Sequence, residues 1–143
     1  MARCYYHAEI ANFILESDSQ ILGELAQRHG FDLNDAQRNA WLQQIALLKI
    51  WLAKTPETIA FEYVIPRIGK RIDCVVLTSG LIFAIEFKVG EYRHQRHAID
   101  QVMDYALDLK NFHENSHNRK IIPILVSTEA DDLPCQLPEL ILS

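Results

Sequence analysis

The chain has 143 residues, about half of them apolar, and a formal net charge of -5; this suits one domain with a sizeable core and argues against an avid, non-specific nucleic-acid binder with a broad basic footprint. No apolar run approaches the roughly 20 residues that span a bilayer, and the start "MARCYYHAEIANF" lacks the basic region and apolar stretch of a signal peptide, so a cytoplasmic protein is expected. Cys4, Cys74 and Cys135 are scattered without a CxxC pair, which indicates neither a disulfide framework nor a zinc knuckle.

Charge is unevenly spread. Residues 1–65 hold five basic and eight acidic side chains, residues 66–97 hold six and three, and residues 98–143 hold three and eight. Positive charge therefore gathers in the middle of the chain.

The first part reads as helical. Residues 6–15 and 19–29 have helix-like apolar spacing (Ile10, Phe13, Ile14; Ile21, Leu22, Leu25), with Gly30 as a stop. Asn34 and Gln37 fit a capping box that opens a longer helix, in which Trp41, Ile45, Leu48 and Leu52 form a stripe ending before Thr55-Pro56. Trp41 and Trp51 read as core residues.

The period then changes to two. "TIAFEYVIP" predicts a strand with Ile59, Phe61, Tyr63 and Ile65 on one face and Ala60, Glu62 and Val64 on the other. "PRIG" reads as a turn, residues 71–78 as a second strand, Ser79-Gly80 as a turn and residues 81–89 as a third strand. A helix over about 91–114 carries Ile99, Val102, Ala106 and Leu109 inward. "KIIPILVST" is a fourth strand, parallel to the third because a helix joins them, and Pro123 suggests an edge position or a late start. The tail "EADDLPCQLPELILS" ends on apolar residues with little left to bury them, as a fragment of a longer chain would.

Within this hairpin region the charged residues align. A two-residue turn at Ser79-Gly80 sets Thr78 opposite Leu81 and, counting inward, Asp73 opposite Glu86. A four-residue loop over 66–69 sets Ile65 opposite Lys70 and Glu62 opposite Asp73. Three carboxylates then lie across three adjacent strands, with Lys88 two residues beyond Glu86 on the same face. Opposed like charges destabilise a sheet, and a hard divalent cation is the natural compensation. Lys88 beside such a site is suited to act on an attacking water or on a phosphate. The alternative is an internal ion-pair network of Glu86 with Lys88 and Arg71.

Asp73 on the second strand and Glu86-Phe87-Lys88 on the third resemble the signature of the PD-(D/E)XK nuclease superfamily, with Ile72 where the name-giving Pro would stand. Gln101 and Tyr105 resemble the Gln-x-x-x-Tyr element of the subset related to bacterial exonuclease-helicase nucleases. "FEYVIPRIGKRIDCVVL" followed by "IEFK" is similar to the nuclease-like domain that opens bacterial proteins continuing into a P-loop helicase-type ATPase; no GxxxxGK[ST] follows here.

The resemblance implies an α/β fold with an αβββαβ restriction-endonuclease-like core, a mixed four-stranded sheet flanked by helices and preceded by extra helices. It implies a Mg2+-dependent deoxyribonuclease, Mn2+ being a substitute. Asp73 and Glu86 would bind the metal with the Phe87 carbonyl, Glu62 would complete the set, Lys88 would act on the water, and Gln101 would orient Lys88 or the substrate. Arg67, Lys70, Arg71, Arg93, Arg96, His97 and Tyr105 are the candidates to touch DNA. Further expected partners are an ATPase or helicase domain, in a longer chain or in trans, and a second copy in a homodimer. The rival readings are a nuclease-derived module that binds nucleic acid or a protein without cutting, and a purely structural domain.

Overall fold

A computed structural model gives the architecture and describes residues 3–30, 33–65, 69–91, 95–112, 119–129 and 135–136. The order is β1 (Tyr6–Glu9), α1 (Ile10–Leu15), α2 (Asp18–His29), α3 (Asp35–Trp51), β2 (Thr58–Val64), β3 (Arg71–Thr78), β4 (Leu81–Lys88), α4 (Arg96–Phe112), β5 (Lys120–Ser127) and β6 (Cys135–Gln136). The strands form one mixed sheet in chain order. No described helix is long and apolar enough to cross a membrane.

Local chemistry accounts for most boundaries. The Ser17 hydroxyl accepts from Gln20 N–H at 3.1 Å to start α2, and Gly30 ends it in the left-handed region at φ 75°. Asn34 Oδ1 accepts from Gln37 N–H at 2.7 Å to start α3. Between β3 and β4, Ser79 (φ 53°) and Gly80 (φ 76°) both have positive φ, as a two-residue type I′ hairpin turn requires. That turn sets the expected register: Thr78 pairs with Leu81 and Cys74 with Ile85.

Two expectations need correction. The sheet has six strands rather than four. Residues 6–9 are the edge strand β1, pairing Tyr6 with Phe61 and Glu9 with Thr58, and only Ile10–Leu15 are helical; the backbone groups on the outer side of β2 supply partners that helical periodicity cannot reveal. Strand β5 is parallel to β4 as expected and meets the two-residue β6 only at Ile124 and Leu125, so among the described residues Pro123 has no strand partner on that side.

The sheet is covered on both faces. On one, Phe13, Ile21, Leu25, Trp41, Ile45 and Leu48 of α1 to α3 pack on Ile59, Phe61, Cys74, Val76, Ile85 and Phe87. On the other, Tyr105, Ala106 and Leu109 of α4 pack with Ile65, Ile72, Ile82, Ala84 and Ile121, while Ala98 and Val102 pack on Leu125.

The expected single face of β2 is also corrected, because Ile59 and Phe61 face α1 to α3 whereas Tyr63 and Ile65 pack with the α4 cluster. The partner strand changes face at the same level, Cys74 on one side and Ile72 on the other. Pairing keeps one register on either side, Phe61 with Cys74 and Tyr63 with Ile72. The swap falls on Glu62 and Asp73, and Glu62 has a left-handed φ of 52°, uncommon for a residue with a Cβ and a frequent mark of functional sites. The stretch before β1 clamps this point: Tyr5 N–H donates to Phe61 O at 3.0 Å and Val64 N–H to Arg3 O at 2.6 Å.

Candidate functional site

Asp73 and Glu86 interlock where the β3–β4 ladder ends. Cys74 with Ile85 is the last backbone pair; beyond it, Asp73 N–H donates to Glu86 Oε1 at 2.9 Å and Phe87 N–H donates to Asp73 Oδ2 at 2.9 Å. Each carboxylate thus takes the place of a ladder carbonyl for the opposite strand. Two carboxyl groups are held side by side, with Asp73 Oδ1 and Glu86 Oε2 outside these bonds.

Burial dominates the electrostatics, and Asp73 adds repulsion at both Glu86 and Glu62. Glu86, which is buried, has its pKa pushed up to about 9, first by desolvation and then by Asp73. Desolvation raises Asp73 as well, opposed by the Phe87 N–H and by Lys88. Glu62 is pushed up to about 7 by burial and by Asp73, with Arg71 and the Trp41 indole pulling the other way.

Glu62 sits at the margin of the pair. Its Oε1 accepts from Trp41 Nε1–H at 3.4 Å, and its Oε2 lies 3.9 Å from Arg71 Nε. Trp41, expected only as core, therefore also reaches the site, a contact across 21 residues that no local pattern announces. On the opposite flank Lys88 Nζ donates to Gln101 Oε1 at 2.9 Å, and Gln101 Nε2 donates to Tyr105 OH at 2.9 Å. The parallel β4–α4–β5 crossover carries this helix over the end of β4, and the i, i+4 spacing aligns Gln101 with Tyr105.

These groups line an open pocket of about 390 Å³ that includes Glu62, Lys70, Arg71, Asp73, Glu86, Lys88, Gln101 and Tyr105. A hollow of about 880 Å³ adjoins it, sharing Lys70, Lys88, Gln101 and Tyr105 and walled by His97, Asp100, Asp104 and Asp108 of α4. Arg96 lies outside both linings and pairs with Asp100 at 3.2 Å. Arg67 and Arg93, expected to touch nucleic acid, lie outside the described residues.

Among the described residues no three His, Cys, Asp or Glu side chains gather closely enough to hold a metal ion by themselves. The donors nevertheless fit a hard cation such as Mg2+, which binds through one or two carboxylates and keeps several waters or phosphate oxygens. Two desolvated carboxylates, one of them raised further by its neighbour, are the charge such an ion would compensate. The set does not resemble a closed zinc cage.

No family model matches the chain, and neither a curated protein nor a solved structure matches it. The functional reading therefore rests on the geometry and on the sequence signature.

Proposed function

We propose that this chain is a metal-dependent nuclease domain of the PD-(D/E)XK type that hydrolyses phosphodiester bonds of DNA. The observation that supports it most is the reciprocal bonding of Asp73 and Glu86, which gathers two acids at one point of a sheet, beside a lysine anchored by Gln101, in an open pocket. A buried acid pair without a role would be a liability, since unneutralised carboxylates repel and desolvation penalises each of them.

Asp73 and Glu86 are the residues that would hold Mg2+ or Mn2+, with the Phe87 carbonyl beside them and Glu62 at the margin. Such an ion, when bound, lowers the pKa of a water and stabilises charge on the attacking and leaving oxygens. Lys88 offers N–H donors to a phosphate oxygen or to the attacking water, and Gln101 holds its ammonium in place. Hydrolysis joins the water oxygen to phosphorus and releases the 3′- or 5′-oxygen of the cut strand. An ATPase partner and a second copy of the chain belong to this reading as further proposals.

One observation favours a second reading, a module that binds without cutting. The larger hollow is walled by three aspartates, which repel phosphates approaching along α4. Both readings are tested by incubating labelled DNA with Mg2+ and wild type, Asp73→Asn or Lys88→Ala, alongside thermal melts of EDTA-stripped protein with Mn2+. The nuclease reading expects cleavage by wild type alone and a melting shift with Mn2+ that Asp73→Asn abolishes. Binding without cleavage or metal shift gives the module instead.

A further inference from the structure

Lys70, Arg71 and Lys88 line the pocket, with Arg96 on α4 outside it, and the structure treats these cations differently. Lys88 is held inward by Gln101. Arg96 is 86% exposed and occupied by Asp100. Arg71 lines the pocket and is set at its rim by two neighbours: its guanidinium lies over the Tyr5 ring, 5.1 Å from the centroid, and its Nε stands 3.9 Å from Glu62 Oε2. The second contact is at the limit of an ion pair, and the Arg71 side chain remains 42% exposed while Glu62 is 12% exposed.

We propose that Arg71 is the phosphate clamp of this pocket and that Tyr5 is the positioning residue that holds it there. The inference rests on the nuclease reading and specifies its substrate contact: a backbone phosphate next to the reacting one. Arg71 is suited to this because a planar guanidinium binds phosphate through two parallel N–H donors. Stacking on an aromatic face restrains its rotamers and leaves its edge able to donate.

Glu62 serves as the counter-ion of the free protein. On binding, the guanidinium exchanges a distant carboxylate for a phosphate oxygen and keeps its ring contact. Tyr5 owes its position to the same hydrogen bonds that clamp the left-handed Glu62, Tyr5 N–H to Phe61 O and Val64 N–H to Arg3 O. Ring, guanidinium and carboxylate are therefore fixed relative to one another by one stretch of backbone.

The test is fluorescence anisotropy with a fluorescein-labelled single-stranded oligodeoxynucleotide in Ca2+, which keeps the strand uncut, across about 50 to 200 mM salt. Arg71→Ala is expected to weaken binding by about tenfold or more and to lower the slope of log affinity against log salt by about one phosphate contact. Tyr5→Ala is expected to weaken binding by about three- to tenfold, Tyr5→Phe to bind as wild type, and the Tyr5→Ala, Arg71→Ala double variant to bind no worse than Arg71→Ala alone. That non-additivity and the rescue by Phe separate positioning from a general structural defect.

A wild type that binds while Arg71→Ala keeps full affinity and slope overturns the clamp and leaves the nuclease reading standing. Full additivity of the two changes overturns the role of Tyr5. A wild type that binds no strand at all overturns the clamp, and the nuclease reading falls with it only if the same protein also leaves labelled DNA uncut in Mg2+. Arg71 lies at the rim of the pocket and outside the apolar clusters, so Arg71→Ala decides the question even where Tyr5→Ala folds poorly.

Discussion

Replacing Glu86 by Gln should make the metal-free protein more stable at alkaline pH, although it removes a buried charged residue. Gln keeps an oxygen to accept the Asp73 N–H and removes the repulsion between the two acids. Glu86 is displaced from 4.5 to about 9 in the folded chain, and each unit corresponds to about 1.36 kcal/mol. Counting only half of the displacement, since water and local relaxation screen part of it, gives about 3 kcal/mol.

The sign follows from the direction of the shift. A pKa raised on folding favours the folded state below the unfolded value and loses that contribution as pH rises through the folded value. Wild type stripped of metal should therefore weaken between about pH 5 and pH 9, whereas Glu86→Gln should not share that loss. In EDTA, urea or thermal denaturation should show the two proteins nearly equal at about pH 5 and the variant ahead by about 3 kcal/mol, or on the order of 10 °C, at about pH 8.5. Millimolar Mn2+ should reverse the order, because it binds the folded wild type alone. A Glu86→Gln variant less stable by about 1 kcal/mol or more at both pH values in EDTA would instead make Glu86 an ionised partner of Lys88 rather than a repelled member of an acid pair.

Four further outcomes are expected. Glu62→Gly should be more stable than Glu62→Val by about 1 to 3 kcal/mol in urea denaturation, because only Gly accepts the φ of 52° without strain; an ordinary strand position would favour Val. Gln101→Ala should lower the rate of strand cleavage by about tenfold or more with little change in melting temperature, since it releases the Lys88 ammonium; an unchanged rate removes Gln101 from the site. Ser127→Ala should match or exceed wild-type stability by up to about 1 kcal/mol, because the Ser127 Oγ is buried without a hydrogen-bond partner among the described residues, and a clear loss would reveal a partner. Trp41→Phe should lower the melting temperature and raise the Glu62 pKa further, since the indole N–H is a donor that favours the charged form; NMR titration of the Glu62 side-chain carbonyl would read the direction.

The register of the β3–β4 hairpin was legible in the amino-acid sequence because a two-residue turn is a local device. Ser79-Gly80 accepts positive φ at both positions, and counting from it sets Asp73 beside Glu86. The i, i+4 spacing sets Gln101 and Tyr105 on one helix face, whereas Gln101 beside Lys88 was expected only from the resemblance; the folded chain supplies the bonds from Lys88 to Gln101 and from Gln101 to Tyr105. The caps at Ser17 and Asn34 differ in this respect: Asn34 with Gln37 was foreseen, while the start of α2 at Asp18, one residue before the expected Ser19, came from the Ser17 cap.

Tertiary structure decided the remainder. Tyr6–Glu9 became a strand because the edge of β2 offered hydrogen bonds, and intrinsic preference yields to such pairing. The change of face at Glu62 and Asp73 depends on which helices cover each half of the ribbon, which period-two alternation assumes constant. Trp41 reaches Glu62, and Tyr5 stacks on Arg71, through contacts between residues remote in the chain. Sequence alone therefore determined which carboxylates and which lysine stand together, because short turns impose that geometry. The folded chain decided how each is tethered, desolvated and charged, because those properties arise from side chains that only packing brings near.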